Sequence, residues 1–154
     1  MGYWGQPELT AAVLRRHPFL ATELGDQERV CYSGDLVTID EAGFLYFVGR
    51  RDTMIKSSGF RISPTEVEEA LFQSGRLLGA AVIGIPDDML GQAIKAFVVL
   101  KEGDAVTADE LLELCARRLP AYMVPKVVEI LPDLPKTTSG KVDYPALRRL
   151  EGLA

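Results

Sequence analysis

GRRDTMIKSSGFRISPTEVEEALFQSG, residues 49–75, is the stretch at which the pattern of this sequence changes. Residues 28–50, which lead into it, are rich in β-branched and aromatic side chains and predict strands. Within the stretch, DTMIKSSGFRISP predicts two short extended segments around a polar SSG loop. PTEVEEALFQSG then predicts a helix that Pro64 opens and Gly75 stops. GRRD is polar and turn-forming, so we expect a hinge there.

The segments after Pro64 predict one folded core. Val67, Leu71 and Phe72 supply the apolar face of the predicted helix. LLGAAVIGIP and IKAFVVLK are nearly continuous in apolar residues and predict central strands. KVVEIL predicts a third strand, and YPALRRLEG predicts a closing helix. This order of elements predicts an α+β fold, a small sheet flanked by helices.

TADELLELCARRL predicts a capped amphipathic helix inside that core. Thr107 and Glu110 stand three residues apart, which is the spacing of a capping box at a helix N-terminus. The leucines expected to face the core are Leu111, Leu112, Leu114 and Leu119.

The part of the chain before GRRD predicts a smaller set of elements. PELTAAVLRR predicts a short helix with Pro7 near its first turn. LVTI and FLYFV predict two strands that DEAG joins as a hairpin. Two or three such strands need something to pack against, and pairing between two copies of the chain would give a homodimer.

Composition and charge exclude several classes of protein. The 22 acidic residues outnumber the 17 basic ones, which argues against nucleic-acid binding. Cys31 and Cys115 form no CxxC unit, so we expect reduced, buried thiols and no zinc site. No apolar run is long enough to span a bilayer, and we expect a soluble, cytoplasmic protein. The single histidine, His17, is expected at the surface or as a cap near a helix end.

The segment LPDLPKTTSGKVDYPAL, residues 131–147, raises the question of phosphate binding. A Walker A loop needs a glycine where Pro135 stands and a Ser or Thr where Val142 stands, so TTSGK does not fit it. What remains is a loop of small residues that carries Lys141, in which backbone amides and one compact cation are available to an anion. From composition alone, a solvated surface connection is the favoured interpretation of this loop.

Two other motifs combine polar groups in an unusual way. In YSGDL, Asp35 stands at the entrance to a strand, where it would accept hydrogen bonds from a sugar diol or cap the turn. In residues 49–69, the cations Arg50, Lys56 and Arg61 accompany a glycine loop. A hairpin that enters a helix explains the prolines and glutamates of this segment better than it explains the cations.

Four motifs of this chain, taken in order, resemble the consecutive C-terminal motifs of the adenylate-forming enzyme superfamily. They are GYWGQPELT, YSGDL, GRRDTMIKSSGFRISPTEVEE and LPKTTSGK. This superfamily includes acyl-CoA synthetases, luciferases and the adenylation domains of peptide synthetases. KSSGFRISPTEVEE is more similar to the acyl-CoA ligases than to the amino-acid-activating domains. The resemblance covers essentially the whole chain and implies the C-terminal portion of an AMP-forming acyl-CoA ligase.

The resemblance implies two half-reactions. A carboxylic acid attacks the α-phosphate of ATP to give acyl-AMP and pyrophosphate, and the thiol of CoA then displaces AMP. Lys141 would be the catalytic residue that bridges the attacking carboxylate and the α-phosphate. ATP, AMP, CoA and Mg²⁺ are the implied substrates and cofactor of a full-length enzyme. No metal ligand is assigned in this chain, and no tightly bound cofactor is expected.

Further roles are implied residue by residue. Asp35 would hold the ribose hydroxyls, and Arg50 would add a second contact on the ribose or phosphate side. Arg61 would lie near the AMP phosphate, and Asp52 would be the hinge about which a C-terminal lid swings. The loop that lines the entry path of the thiol would consist of Ser57, Ser58, Gly59 and Phe60.

The resemblance also implies a division of the chain. Residues 1–51 would be the tail of a large N-terminal domain, and residues 52–154 would be the lid. The ATP loop, adenine site and acyl pocket of that large domain have no counterpart here, so we expect the chain alone to be inactive. Two alternatives stay open, namely an adenylating enzyme that loads a carrier-protein phosphopantetheine and a non-catalytic fragment that binds a nucleotide or a protein.

Overall fold

The computed structural model describes residues 2–19 and 29–153. The chain forms two compact units, residues 1–47 and 48–154. A hinge and domain boundary at Asp52 remain a prediction. No helix in the described part of the chain has the length and apolar character that crossing a membrane requires.

The described residues of the first unit form one short helix and two strand pairs. Its elements are α1 Pro7–Val13, β1 Leu14–Arg16, β2 Arg29–Cys31, β3 Asp35–Ile39 and β4 Leu45–Arg50, the last of which runs on into the second unit.

The predicted helix over PELTAAVLRR is correct only as far as Val13. Residues 14–16 form a strand that pairs antiparallel with β2, with Leu14 opposite Cys31. Helix α1 has no buried residue, so core packing does not stabilise a helix longer than two turns. Residues 14–16 pair with β2 instead of extending the helix. His17 follows this strand rather than a helix end, and its Nδ1 accepts a hydrogen bond from Phe19 N at 3.2 Å.

The DEAG hairpin is confirmed, since β3 and β4 pair as a two-stranded sheet. Asp40 organises the turn, because its Oδ1 accepts from Ala42 N at 3.0 Å and from Phe44 N at 2.9 Å. These bonds and the Tyr46 hydroxyl hold the pKa of Asp40 below its usual value. The hairpin leaves many large apolar side chains exposed: Val37, Ile39, Phe44, Leu45, Tyr46 and Phe47. Residue 28, the start of the predicted strand region, lies outside the described residues.

The second unit confirms the α+β fold. Its further elements are β5 Ile55–Ser57, β6 Phe60–Ile62, α2 Pro64–Phe72, β7 Leu77–Asp87, β8 Gly91–Leu100, α3 Ala108–Arg118, a 3₁₀ turn Ala121–Met123, β9 Val127–Ile130 and α4 Tyr144–Leu150. The main sheet has the order β7-β8-β9, with β7 and β8 antiparallel and β8 and β9 parallel. Strand β8 is central as expected, but β7 lies at an edge, so the expectation of two central strands is wrong for β7.

The main sheet has one hydrophobic core on each face. Alternate residues of a strand point to opposite faces, so Val82 enters one core and Ala81 the other. The first core contains residues of α2, α3 and the β5–β6 hairpin, among them Ile55 and Ile62. The second core is closed by the segment that ends in α4, and Leu147 of α4 is fully buried in it.

Helices α2 and α3 confirm their predicted positions and correct some of their core residues. The Thr107–Glu110 capping box is present in α3. Leu111 is buried, Leu112 and Leu119 pack against the core, and Cys115 takes the position expected for Leu114. On α2, Phe72 is exposed because it lies at the last turn, beyond the face that packs on the sheet.

The two cysteines are both free, as expected, but only Cys115 is buried. Burial raises the pKa of the Cys115 thiol to about 11. Cys31 is exposed because it lies at the end of the short strand β2, where no core covers it. The expectation of a buried thiol is therefore wrong for Cys31.

Candidate functional site

Lys141 ends a tight loop over residues 137–141. Gly140 N donates to Thr137 O at 2.9 Å, and Thr137 N donates to Lys141 O at 2.7 Å. Gly140 has a φ of +80°, which fits a turn that closes with a left-handed glycine at a bulge. Lys141 N also donates to Thr137 Oγ1, at 3.3 Å. These bonds engage three of the loop's backbone amides internally, so the loop presents a side chain to an anion more than it presents its backbone.

The Lys141 side chain is exposed. Within residues 2–19 and 29–153, its ammonium makes no hydrogen bond and no ion pair. A cation on a rigid loop, unpaired among the described residues, is suited to neutralising an incoming phosphate or carboxylate.

The base of the lysine loop is fixed by backbone and capping bonds. Lys136 and Val142 form an antiparallel bridge, and Asp143 N donates to Pro135 O at 2.8 Å. The Asp143 side chain then caps α4 by accepting from Ala146 N at 2.9 Å. The loop is thus attached directly to the N-terminus of α4.

The predicted thiol-entry loop is the turn of the β5–β6 hairpin. Ile55 pairs with Ile62, and Ser57 pairs with Phe60, so Ser58 and Gly59 form a two-residue turn. Both turn residues have positive φ, +50° at Ser58 and +82° at Gly59, as a type I′ turn requires.

Two backbone amides of this hairpin donate hydrogen bonds to the β7–β8 turn and to the start of β8. Ser58 N donates to Leu90 O at 2.9 Å, and Lys56 N donates to Gln92 Oε1 at 2.7 Å. Ser57 is buried, while Ser58 and Gly59 are exposed. The turn is therefore anchored on its inner side and open on its outer side.

The hairpin also carries two cations and an aromatic stack. Lys56 and Arg61 are register partners and both are exposed, so two like charges face each other across the hairpin. Such a pair is unfavourable unless an anion compensates it. On the other side, Phe60 stacks on Tyr122, with ring centroids 4.1 Å apart and an interplanar angle of 11°.

The GRRD motif forms a turn after the end of β4. Thr53 N and Thr53 Oγ1 both donate to Arg50 O, at 3.2 and 3.1 Å. Arg50 Nε donates to Asp52 Oδ1 at 3.1 Å. This bond is the largest cause of the lowered pKa of Asp52, to which the charges of Arg50 and Arg148 also contribute. The predicted hinge residue is therefore held in its charged form by neighbouring arginines.

Asp35 lies in the first unit, where it begins β3. Its backbone N donates to Ser33 Oγ at 3.2 Å, which closes the YSGD turn. The carboxylate is at an exposed position, as both the sugar-binding and the turn-capping interpretations require.

Within the second unit, the lysine loop and the thiol-entry hairpin attach to opposite faces of the main sheet. Ile55 and Ile62 anchor the hairpin in the core on the α2 and α3 face. Val142 and Tyr144, which follow Lys141 in the chain, pack against the core on the α4 face. The structure does not bring these two predicted sites together, because one sheet lies between their anchors.

Three residues of interest were missed in the sequence. Tyr122 stacks on Phe60, and Tyr144 Oη donates to Glu68 Oε1 at 2.9 Å. One signal was available for Glu68, since it follows Pro64 by four residues and so falls on the apolar face of α2. A carboxylate on such a face is typical of a buried hydrogen-bonding role.

The described residues contain no group of three or more His, Cys, Asp or Glu side chains that could hold a metal ion. Among the candidate site residues, Asp52 is already paired with Arg50. The described residues therefore do not fit a Mg²⁺ site, and we assign no step to that ion.

Comparison with known proteins places these features in a family. The profile of the AMP-binding enzyme C-terminal domain matches residues 66–141. The chain contains the C-terminal domain of the AMP-binding enzymes. The matched region runs from α2 to Lys141, so it contains the main sheet and ends at the loop lysine.

Individual relatives agree with this assignment. A long-chain-fatty-acid–CoA ligase of Yersinia pestis is 42% identical over 142 residues, which are 92% of this chain and 23% of the relative. A feruloyl-CoA synthase of an Amycolatopsis species is 42% identical over 151 residues, 98% of this chain and 28% of the relative. A crystal structure of ATP-bound MatB from Rhodopseudomonas palustris has a TM-score of 0.79 at 30% identity, covering 97% of this chain and 27% of that one. The chain thus spans about a quarter of the length of each of these relatives.

Proposed function

We propose that this chain is the C-terminal part of an AMP-forming acyl-CoA ligase, with residues 52–154 as its mobile lid. The observation that carries the proposal is the attachment of the lysine loop and the hairpin to opposite faces of one sheet. Acyl-AMP formation and thiol attack need access to the same reacting centre. A rigid lid with one loop on each face can serve them in turn by rotating about Asp52.

Lys141 acts in the first half-reaction. Negative charge builds up on the α-phosphate oxygens as the carboxylate attacks, and a positioned cation stabilises that charge. The ammonium is exposed, while hydrogen bonds fix the backbone that carries it. At a partly screened site, a pair of unit charges ~4 Å apart interacts by about 4 kcal/mol.

The hairpin acts in the second half-reaction. Ser58 and Gly59 form an exposed turn without bulky side chains, along which a thiol arm can pass. Arg61, paired across the hairpin with Lys56, supplies positive charge for the AMP phosphate. Asp35 and Arg50 bind the nucleotide, Asp35 through the ribose hydroxyls.

The exposed apolar residues of the β3–β4 hairpin support a larger protein. Val37, Ile39, Leu45 and Phe47 are each about half exposed or more. We assign their cover to a preceding large domain, which would also carry the acyl pocket. The chain by itself is then inactive, and titration of ATP into the 154-residue chain should detect no tight binding. Free cysteines together with ATP and CoA as substrates favour a cytoplasmic location.

The assignment of Lys141 is tested by Lys141→Ala in the full-length protein. We expect acyl-AMP formation to fall by roughly 10²–10³-fold, with thioester formation from supplied acyl-AMP spared. Lys136→Ala is a matched control, because Lys136 lies in the same segment but pairs with Asp133. An equal loss of Lys141→Ala activity in both half-reactions would refute the assignment.

A further inference from the structure

The first residue of α4, Tyr144, joins the two faces of the main sheet. Its hydroxyl donates to Glu68 Oε1 at 2.9 Å, although Glu68 belongs to α2 on the opposite face. The same Oε1 accepts from Val82 N at 2.9 Å, and Val82 belongs to the edge strand β7. The Glu68 carboxylate therefore accepts a hydrogen bond from the Val82 amide, at the free edge of β7. It also accepts from the hydroxyl of Tyr144, whose side chain crosses that edge from the other face.

Both partners are shielded from water. Each side chain is half-buried, and burial is the largest cause of the raised pKa of Glu68 and of Tyr144. A hydrogen bond to a carboxylate in such a place is among the stronger ones in a protein. It thus constrains the direction of the Tyr144 side chain more than surface packing would.

Tyr144 is also close in the chain to Lys141. Between them lie Val142, which forms the bridge with Lys136, and Asp143, which caps α4. Because hydrogen bonds hold both intervening residues, they link Tyr144 closely to the lysine loop. Fixing Tyr144 at the first position of α4 therefore also fixes the C-terminal arm of that loop.

We propose that Tyr144 is a positioning residue for Lys141, and that its hydrogen bond to Glu68 sets where the lysine loop stands relative to the lid. This proposal rests on the proposed function of Lys141. It does not extend to the thiol step, because the β5–β6 hairpin has independent anchors in Ile55, Ile62 and the Ser58–Leu90 bond.

The test uses Tyr144→Phe in the full-length protein, which removes the hydroxyl and keeps the ring. We expect acyl-AMP formation to slow by about three- to tenfold, as the loss of one such hydrogen bond allows. Thioester formation from supplied acyl-AMP should stay within about twofold of the parent, since the hairpin is untouched. Tyr46→Phe is the matched control, because it deletes another tyrosine-to-carboxylate bond, to Asp40 at 2.8 Å, within the first unit.

Glu68 supplies the second arm of the test. Glu68→Ala should reduce acyl-AMP formation at least as much as Tyr144→Phe. Glu68→Gln keeps an acceptor oxygen, so most of the rate of acyl-AMP formation that Glu68→Ala loses should be retained in this variant. In the double variant Glu68→Ala/Tyr144→Phe, acyl-AMP formation should be no slower than in Glu68→Ala, since both changes remove the same bond.

Hydrogen exchange gives a readout that does not depend on catalysis. In Tyr144→Phe, the amides of Thr137 and Gly140 in the lysine loop should exchange faster, and the amide of Ser58 should not. If Lys141→Ala leaves adenylation intact, the proposed function fails, but the exchange result still decides whether Tyr144 holds the loop. Unchanged exchange in the loop, or equal losses in both half-reactions, would overturn the positioning role.

Discussion

A pair of glycine-to-alanine substitutions, one in each loop, can distinguish the proposed roles of the β5–β6 turn and the lysine loop. Gly59 and Gly140 each have a φ near +80°, at +82° and +80°, and an added Cβ would meet no atom within 4 Å at either position. Alanine at either site therefore creates no clash, and its cost comes from the left-handed backbone alone. The two substitutions are matched in chemistry and differ in which loop they strain.

The expected cost is about 1–2 kcal/mol for each variant, which is the penalty of an L-residue in the left-handed region. Both turns are tied to buried elements, the hairpin by Ile55 and the lysine loop by Leu147. The strain should therefore appear in the cooperative unfolding of the second unit. For a domain of roughly 100 residues, we expect the midpoint of thermal unfolding to fall by about 5–10 °C in both variants.

The functional consequences should diverge although the stability losses are alike. Gly59→Ala disturbs the turn that we propose lines the thiol path, so thioester formation from supplied acyl-AMP should slow. Gly140→Ala displaces the residue next to Lys141, so acyl-AMP formation should slow. The strain energy limits each effect to roughly 5–30-fold. Single-turnover assays of the two half-reactions in the full-length protein would measure both rates.

Two results would refute this reasoning. If both variants slowed the same half-reaction, the assignment of separate loops to separate steps would be wrong. If one variant left the unfolding midpoint unchanged, the left-handed conformation at that turn would not be required by the fold.

Three further predictions concern stability and reactivity. Thr107→Ala removes the capping box of α3 and should lower the free energy of unfolding by about 1 kcal/mol, measured by urea denaturation. Under native conditions iodoacetamide should label exposed Cys31 and spare Cys115, whose thiol pKa is raised to about 11; mass spectrometry that found early labelling of Cys115 would contradict its burial. Burial raises the pKa of Glu68, so the folded state binds a proton at this carboxyl more readily than the unfolded chain does. The contribution of Glu68 to stability should therefore fall as the pH rises from the unfolded-state pKa through the raised pKa of the folded state. Unfolding midpoints between pH 4 and 8 should vary less in Glu68→Gln, and an unchanged pH dependence would exclude this cause.

Local rules were sufficient for much of the fold. The Ser58–Gly59 turn, the Thr107–Glu110 capping box and the helix after Pro64 each depend on residues within a few positions of each other. Strand β8 was identified because it is buried on both faces and so is almost entirely apolar, apart from Gln92 and Lys95. Turns, helix caps and buried strands depend on residues that lie near each other in the chain, so they can be predicted from a single sequence.

Long-range pairings could not be predicted in the same way. Nothing near Leu14 indicates that residues 14–16 would pair with β2, and an apolar run does not reveal that β7 is an edge strand. The bond between Tyr144 and Glu68 joins residues 76 positions apart, so no local pattern contains it. The roles of Asp35, Arg50 and Lys141 came from the resemblance to a family, and they stay predictions until the half-reactions are measured.

If the two loops serve the two proposed half-reactions, the geometry of the sheet lets one small domain carry both without changing its own structure. In β7, Val82 faces the core that holds the hairpin, while Ala81 and Ile83 face the core that holds α4. Because both cores use the same strands, the two loops are fixed relative to each other, and the Tyr144–Glu68 bond closes the edge between them. A closely packed interior resists internal sliding. The proposed exchange of loops at one reacting centre would then require rotation of the whole unit, and we expect that rotation at the Arg50–Thr53 turn, at the end of β4.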